Sequence, residues 1–121
     1  MGEILIESFS NKKVQRLCTD YTYAKKQLDE RTAFKLMALM NLIEAAATLK
    51  DIAVFKKYNV HNLSGNRKKE ISIYIDGAKN KFRLIIEPSQ KFSETDNVLD
   101  FLSKCDTIKN INVLEVSSHY E

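Results

Sequence analysis

The sequence predicts an α+β fold in which an N-terminal helical hairpin packs on a small, mainly antiparallel sheet. Residues 29–48 carry apolar side chains at i, i+3, i+4, i+7 and i+11, the spacing of one helix face. Residues 71–76 and 82–87 have apolar side chains at every second position around a turn that contains Gly77, as in a β-hairpin. We expect the helices to cover one face of the sheet and to leave its polar face available.

The N-terminal part of the chain is predicted to form one strand and two helices. Residues 4–6 are a short apolar run that is typical of a strand. Residues 11–18 predict a short helix because their apolar side chains are spaced i, i+3 and i+4. The main helix spans residues 29–48, with Asp29 as its N-cap. We interpret its methionine-containing apolar stripe as core packing rather than as a cofactor site.

The hairpin is expected to place six apolar side chains on one buried face: Ile71, Ile73, Ile75, Phe82, Leu84 and Ile86. Tyr74 and Arg83 then emerge on the opposite face, side by side or one diagonal apart. Because Arg83 points away from the core, we expect that its replacement leaves folding intact. Pro88 ends the second strand, since proline has no N–H to donate to a ladder.

The C-terminal part of the chain is predicted to form a short helix, residues 96–103, and a last strand, residues 108–116. The strand has apolar side chains on both faces: Ile111 and Val113 on one, Leu114 and Val116 on the other. A strand of this kind usually lies in the centre of a sheet. A bulge that shifts the register partway along the strand is the alternative.

Length and composition indicate one domain, residues 1–121, in a protein of the cytoplasm. No apolar run approaches the roughly 18 residues that a membrane span needs, so we expect no membrane contact. The first residues lack the basic segment of a signal peptide. Cys18 and Cys105 are too few for a disulfide framework, and the two histidines do not have the spacing of metal ligands. We therefore expect neither a metal nor another cofactor.

Basic residues cluster in one segment of a chain whose formal net charge is +3. Between positions 56 and 69 there are five of them and no Asp or Glu: Lys56, Lys57, Arg67, Lys68 and Lys69. Such a cluster on a modestly basic chain indicates contact with phosphate groups. A solvated loop is the alternative, and for an isolated basic run it is the commoner explanation.

Three segments supply polar groups that are expected to converge on the polar sheet face if the last strand neighbours the hairpin. They are the basic loop with His61, Arg67, Lys68 and Lys69, the hairpin with Tyr74 and Arg83, and the terminal segment with Ser118, His119 and Tyr120. Cleavage of RNA by attack of the ribose 2′-OH needs a base, an acid and cations for the phosphorane. Histidine serves either proton role, arginine and lysine bind phosphate, and tyrosine contacts a nucleobase.

Each of these residues also has an ordinary structural explanation. His61 can cap a turn through its ring nitrogens, and His119 can be a frayed terminal residue. Arg83 can form an ion pair with Glu70 or Glu87 across the sheet. The nuclease hypothesis therefore rests on the combination of residues rather than on any one of them.

Residues 61–75 contain the pattern His-x-Leu-x-Gly-x-Arg followed by a strand, and residues 82–86 contribute an arginine-containing strand after the turn. Residues 113–120 form a terminal strand that closes with a polar tail containing His and Tyr. In these three segments the chain resembles the HigB-like plasmid-maintenance killer toxins of the RelE/ParE superfamily. The resemblance implies a RelE-like fold and cleavage of mRNA in the ribosomal A site. It also implies a cognate helix-turn-helix, HigA-like antitoxin as partner.

The resemblance assigns roles to individual residues. His61 and His119 would be the acid/base pair, and which of the two is the base stays open. Arg67 and Arg83 would hold the scissile phosphate, and Tyr120 would contact the substrate. Contacts to RNA or the ribosome would involve Lys56, Lys57, Lys68, Lys69, Tyr74 and Ser118.

Two rival functions remain within the same superfamily. A ParE-like toxin inhibits DNA gyrase by binding to it, and an inactive relative binds an antitoxin without cleaving RNA. The two histidines and the basic loop favour the nuclease, because a gyrase inhibitor needs no acid/base pair.

Overall fold

The structure is a computed structural model that describes residues 3–91 and 100–118. These residues form five α-helices and a five-stranded mixed sheet, which confirms the α+β class. The helices are α1 (Lys12–Thr19), α2 (Tyr21–Gln27), α3 (Glu30–Ala45), α4 (Lys50–Ala53) and α5 (Phe101–Cys105). The strands are β1 (Leu5–Phe9), β2 (His61–Asn62), β3 (Ile71–Tyr74), β4 (Arg83–Pro88) and β5 (Asn110–Ser117). Two 3-10 helices, Lys56–Tyr58 and Gly65–Arg67, interrupt the connection from α4 to β3.

The strand order in the sheet is β1-β5-β4-β3-β2. β1 pairs with β5 in parallel, whereas the other three pairs are antiparallel, so the sheet is mainly antiparallel as predicted. β5 lies between β1 and β4, which confirms the central position predicted for the last strand. β3 and β4 form the predicted hairpin, with Tyr74 and Arg83 as direct register partners.

Side-chain caps explain where the first helices begin. The Asn11 side chain accepts a hydrogen bond from the Val14 amide at 2.9 Å and caps α1. The Asp29 side chain accepts from the Thr32 amide at 2.8 Å and caps α3, as predicted. α3 ends at Ala45 rather than at Thr48. The Ala47 amide then donates to the Asp51 carboxylate at 2.8 Å, and this hydrogen bond joins the segment after α3 to α4.

Between the two predicted helices the structure has a further one, α2, which the sequence analysis missed. Asp20 caps it by accepting from the Tyr23 amide at 3.1 Å. Ala24 is the one fully buried residue of this short helix, so α2 has no apolar stripe for a periodicity argument to detect. The predicted helix over 96–103 is α5, capped by Asp100; its predicted residues 96–99 lie outside the described residues.

The hydrophobic core lies between the helices and one face of the sheet, which we call the core face. The strands contribute Ile71, Ile73, Leu84, Ile86, Ile111 and Val113, and the helices contribute Val14, Cys18, Leu36, Leu39, Met40 and Ile43. Fully burying a side chain of this size contributes about 1.5–3 kcal/mol, so this layer fixes the position of the sheet. Phe82 is half-buried at the edge of the core, although the hairpin pattern predicted it to be buried.

A β-bulge in β5 determines which side chains reach the opposite face, which we call the site face. Ile86 pairs with Val113 but Ile85 pairs with Glu115, so Leu114 is an extra residue in β5. Val116 consequently pairs with Leu84 and packs against the core. Its predicted place on the face opposite Ile111 and Val113 was wrong for this reason.

Within residues 3–91 and 100–118, no helix combines the length and the hydrophobicity that crossing a bilayer requires.

Candidate functional site

Two cross-strand rows of side chains on the site face contain the candidate residues, because register partners in a sheet point to the same side. The first row runs from β2 to β5 through His61, Ser72, Ile85 and Glu115. The second row runs from β3 to β5 through Tyr74, Arg83 and Ser117. The sheet therefore brings His61 from the basic loop, Tyr74 and Arg83 from the hairpin, and Glu115 and Ser117 from the last strand to one surface.

Arg67 extends across the first row. It lies on the 3-10 helix beside β2, and one of its terminal nitrogens donates to Glu115 on β5 at 2.7 Å. Its Nε donates to Glu70 at 2.8 Å. Hydrogen bonds to Glu70 and Glu115 raise the pKa of the Arg67 guanidinium above its ordinary value. A cation is thus fixed over the middle of the sheet between two carboxylates.

Residues 62–70 form the loop that holds Arg67 over the sheet. The Asn62 side chain donates to the Lys68 carbonyl at 3.0 Å, and the Leu63 amide donates to the Glu70 carbonyl at 2.9 Å. Gly65 opens the 3-10 helix with φ at 67°, a left-handed conformation that glycine adopts without steric cost. The glycine of the His-x-Leu-x-Gly-x-Arg pattern is therefore needed for the backbone that carries Arg67.

The position of this loop corrects one expectation, since the site face is not an open polar surface at its centre. Ser72, Ile85 and Arg83 are buried there. Arg67 reaches from the β2 side of the sheet to β5 and so crosses the two strands between them. The accessible part of the face lies around Arg67 and its partners rather than on the strand surface itself.

His61 lies at the β2 end of the first row and is half-buried. Its Nδ1 is 2.6 Å from the Asn59 carbonyl, so the predicted turn-capping contact is present. Because a carbonyl oxygen only accepts, Nδ1 is the donor of this hydrogen bond. The ring also meets Tyr74 edge to face, with centroids 6.4 Å apart.

Arg83 is fixed by the backbone around it. It donates to the Phe82 carbonyl at 3.0 Å, to the Ala78 carbonyl at 3.4 Å and to the Asn80 carbonyl. It faces away from the core face, as predicted, but it is only 5% exposed. The expectation that Arg83 can be replaced without effect on folding therefore no longer follows, since this side chain organises the β3–β4 connection.

Two buried polar atoms on the site face lack a hydrogen-bond partner among the described residues. They are Oγ of Ser72 in the first row and Nε of Arg83 in the second. Most buried polar groups in folded proteins are paired, so unpaired ones need an explanation and often mark functional sites. Both belong to the same small area between His61 and β5.

The remaining predicted site residues surround this area or lie outside the described part of the chain. Lys68 and Lys69 follow Arg67 and are exposed. Lys56 and Lys57 are exposed on the 3-10 helix that contacts β3. Ser118 directly follows β5 and is half-buried. His119 and Tyr120 lie outside the described residues, so the second histidine of the predicted acid/base pair has no described position.

Glu115, Ser117 and Glu70 are candidate site residues that the sequence analysis did not include. Glu115 and Ser117 reach the site face because of the bulge at Leu114, which strict alternation cannot reveal. Glu70 is drawn in by its contact with Arg67. One sequence feature could have indicated Glu115: it is the single carboxylate of an apolar strand for which a bulge was considered.

Among the described residues, no group of three or more His, Cys, Asp or Glu side chains is arranged to hold a metal ion. No protein-family model matches the sequence, and no curated protein matches it significantly.

Proposed function

We propose that this chain is the toxin of a type II toxin-antitoxin system, a metal-independent endoribonuclease that cleaves mRNA at the ribosome. The observation that carries the proposal is the position of His61 and Arg67 over one cross-strand row. A titratable ring and a fixed cation are thereby placed on the same surface. These are the two kinds of group that attack of a ribose 2′-OH on the adjacent phosphorus requires.

The proposed reaction breaks the RNA chain without water. The ribose 2′-OH loses its proton and attacks the adjacent phosphorus, while the 5′-oxygen leaves and gains a proton. The products are a 2′,3′-cyclic phosphate and a 5′-OH end. His61 can exchange a proton through Nε2, and Arg67 can stabilise the extra negative charge of the phosphorane.

The lysines next to Arg67 supply the electrostatic attraction for RNA. Lys68 and Lys69 are exposed and adjoin the cation over the row, so they are placed to contact neighbouring phosphates. Tyr74 is half-buried and contacts the His61 ring and the Arg83 guanidinium, and it can contact a base. A small basic surface of this kind supports a dependence on the ribosome for substrate positioning.

The partners and the cellular location follow from the same proposal. Cleavage of translated mRNA places the protein in the cytoplasm. A toxin of this class needs a cognate antitoxin, for which the resemblance to HigB-like proteins suggests a helix-turn-helix, HigA-like protein. The order of strand, helices, hairpin and terminal strand supports a RelE-like fold.

A second candidate function is a non-cleaving relative that binds its target or its antitoxin only. One observation favours it: both arginines proposed to hold the phosphate already have protein partners. Arg83 donates to backbone carbonyls, and Arg67 donates to Glu70 and Glu115. In the nuclease, by contrast, a phosphate would compete with the carboxylates for Arg67, and Arg83 would position Tyr74.

Expression in a bacterial host distinguishes these functions. The mRNA 5′-ends are mapped on two copies of one transcript, of which only one has a ribosome-binding site. The nuclease predicts new 5′-OH ends on the translated copy, and far fewer with His61→Gln. Growth arrest without new ends would contradict the nuclease and favour a ParE-like or other binding function. Antitoxin binding by His61→Gln serves as the control for folding.

A further inference from the structure

We propose that Glu115 accepts the proton of the ribose 2′-OH and that His61 donates a proton to the leaving 5′-oxygen. This inference rests on the proposed endoribonuclease function and replaces an acid/base pair of two histidines with a carboxylate and a histidine. Glu115 would be a catalytic residue, since its carboxylate would touch the reacting hydroxyl.

The register of the sheet places the two groups at opposite ends of one row. His61 and Glu115 are separated by Ser72 and Ile85, that is, by three strand-to-strand steps. At about 4.8 Å a step, their Cα atoms are about 14 Å apart. Arg67 crosses the strands between the two groups, so a phosphodiester bound over Arg67 would lie between a proton donor and a proton acceptor.

The bulge at Leu114 is what gives Glu115 this position. Regular alternation from Val113, which faces the core, would return Glu115 to the core face. The additional residue turns it to the site face instead. Bulges next to active sites commonly re-aim a side chain in this way.

Arg67 contacts two carboxylates that differ in their hydrogen bonds and in their exposure to solvent. This difference favours Glu115 as the base. Glu70 accepts from both Nε and a terminal nitrogen of Arg67, and its side chain is 19% exposed. Glu115 accepts from a terminal nitrogen through Oε2, and its side chain is 38% exposed. Glu115 is therefore the carboxylate that a substrate hydroxyl can reach.

Other charged groups on the site face define the electrostatic surroundings of Glu115. Arg67 and Glu70 come from the loop, and His61 comes from β2. Arg83 and Glu87 come from the neighbouring strand β4, each in a row next to that of Glu115. Arg67 is the cation in direct contact with the Glu115 carboxylate.

The proton and bond changes balance in a single step. The 2′-O–H bond breaks and its proton goes to the Glu115 carboxylate, while the 2′-oxygen forms a bond to phosphorus. The bond from phosphorus to the 5′-oxygen breaks, and protonated His61 gives the Nε2 proton to that oxygen. Arg67 lies beside Glu115 and can contact the phosphorane oxygens during this exchange.

The test is the pH dependence of mRNA cleavage by the purified protein on programmed ribosomes, with Glu115→Gln and, as matched control, Glu70→Gln. Both variants remove one carboxylate partner of Arg67. We expect Glu115→Gln to lower kcat by about 100-fold or more, with KM nearly unchanged, and to abolish the decline of the rate at acid pH. Glu70→Gln should keep that decline and lose far less activity.

Glu115→Asp keeps the carboxylate and should recover part of the rate together with the acid decline. It also shows whether a low rate of the glutamine variant comes from misfolding. If Glu115→Gln cleaves like Glu70→Gln with the acid decline intact, Glu115 is not the base, although the nuclease function stands. If the unaltered protein cuts no RNA on ribosomes, the proposed function fails and this inference fails with it.

Discussion

The guanidinium carbon of Arg83 lies 3.7 Å from the centroid of the Tyr74 ring, and the two residues are register partners on β4 and β3. The stack links Tyr74 to the segment that connects β3 and β4, because the same guanidinium donates to the carbonyls of residues 78, 80 and 82. Tyr74 in turn meets His61 edge to face. The orientation of the His61 side of the site therefore depends on a buried arginine that need not touch the substrate.

Replacing Arg83 with alanine should destabilise the protein. The variant loses the stack on Tyr74 and the hydrogen bonds from the guanidinium to three carbonyls, so we expect a decrease in the free energy of unfolding on the order of 3 kcal/mol. Urea unfolding followed by circular dichroism measures this. Arg31→Ala is the control, since Arg31 is exposed and pairs with Asp76 at the surface. Equal effects of the two substitutions would remove the structural role of Arg83.

Replacing Lys68 and Lys69 together with alanine should weaken RNA engagement without changing the chemical step. We expect the apparent affinity for programmed ribosomes to fall and its dependence on salt to decrease by roughly one to two ions. The matched control is Lys12→Ala with Lys13→Ala, which removes the same charge from exposed positions on α1, on the opposite side of the sheet. An unchanged salt dependence in the Lys68 and Lys69 variant would show that these residues are solubilising charges.

Asp29 should make the stability of α3 depend on pH in the acid range. Hydrogen bonds from Thr32 lower the pKa of the Asp29 carboxyl below its ordinary value of 3.8. Because this pKa is lower in the folded protein, the stabilisation by Asp29 is present at pH values above the pKa of the unfolded chain. It is lost as the pH falls through the pKa of the folded protein. Asp29→Ala should therefore cost about 1 kcal/mol at neutral pH and progressively less below pH 3.8.

Asp29→Asn provides the comparison for this prediction, because asparagine caps a helix but does not titrate there. Its stability at neutral pH should stay close to that of the unaltered protein. Urea unfolding at neutral and acid pH gives all the values needed. A cost of Asp29→Ala that is the same at both pH values would contradict the titration of this cap.

The two cysteines should react slowly in the folded protein. Burial raises the pKa of the Cys18 thiol to about 12 and that of the Cys105 thiol to about 12. At pH 8 both are therefore protonated and inaccessible, and a thiol reagent should modify neither within the time in which it modifies both in denaturant. Rapid modification of either thiol in the native protein would mean that the core around it opens.

Local sequence patterns predicted those elements in which the residue type alone shows whether a side chain faces the core or the solvent. The stripe of α3 and the alternation of β3 and β4 show at once which residues meet the core, so these elements were confirmed with small shifts at their ends. α2 escaped because it is short and buries one residue completely. A bulge in β5 was considered, but its position at Leu114 was not predicted, since only the pairing of β5 with β4 reveals where the additional residue lies.

The candidate site was predictable only as far as residue types and neighbouring segments determine it. His61, Arg67, Tyr74 and Arg83 were expected on one face, and the sheet places three of them there with Arg67 across it. The burial of Arg83 and the pairing of Arg67 with Glu115 depend on contacts between distant segments. Hydrogen bonds of this kind follow from the assembled backbone and have no local pattern.

The most direct test of the nuclease is the chemistry of its products. Purified protein is added to ribosomes programmed with one defined mRNA, and the new RNA ends are analysed for 2′,3′-cyclic phosphate and 5′-OH. Both ends are expected with the unaltered protein, and cleavage should be at least about 100-fold slower with His61→Gln, whose fold is checked by its unfolding curve. Intact mRNA at stoichiometric amounts of folded protein, or equal cleavage by His61→Gln, would contradict the proposed nuclease function.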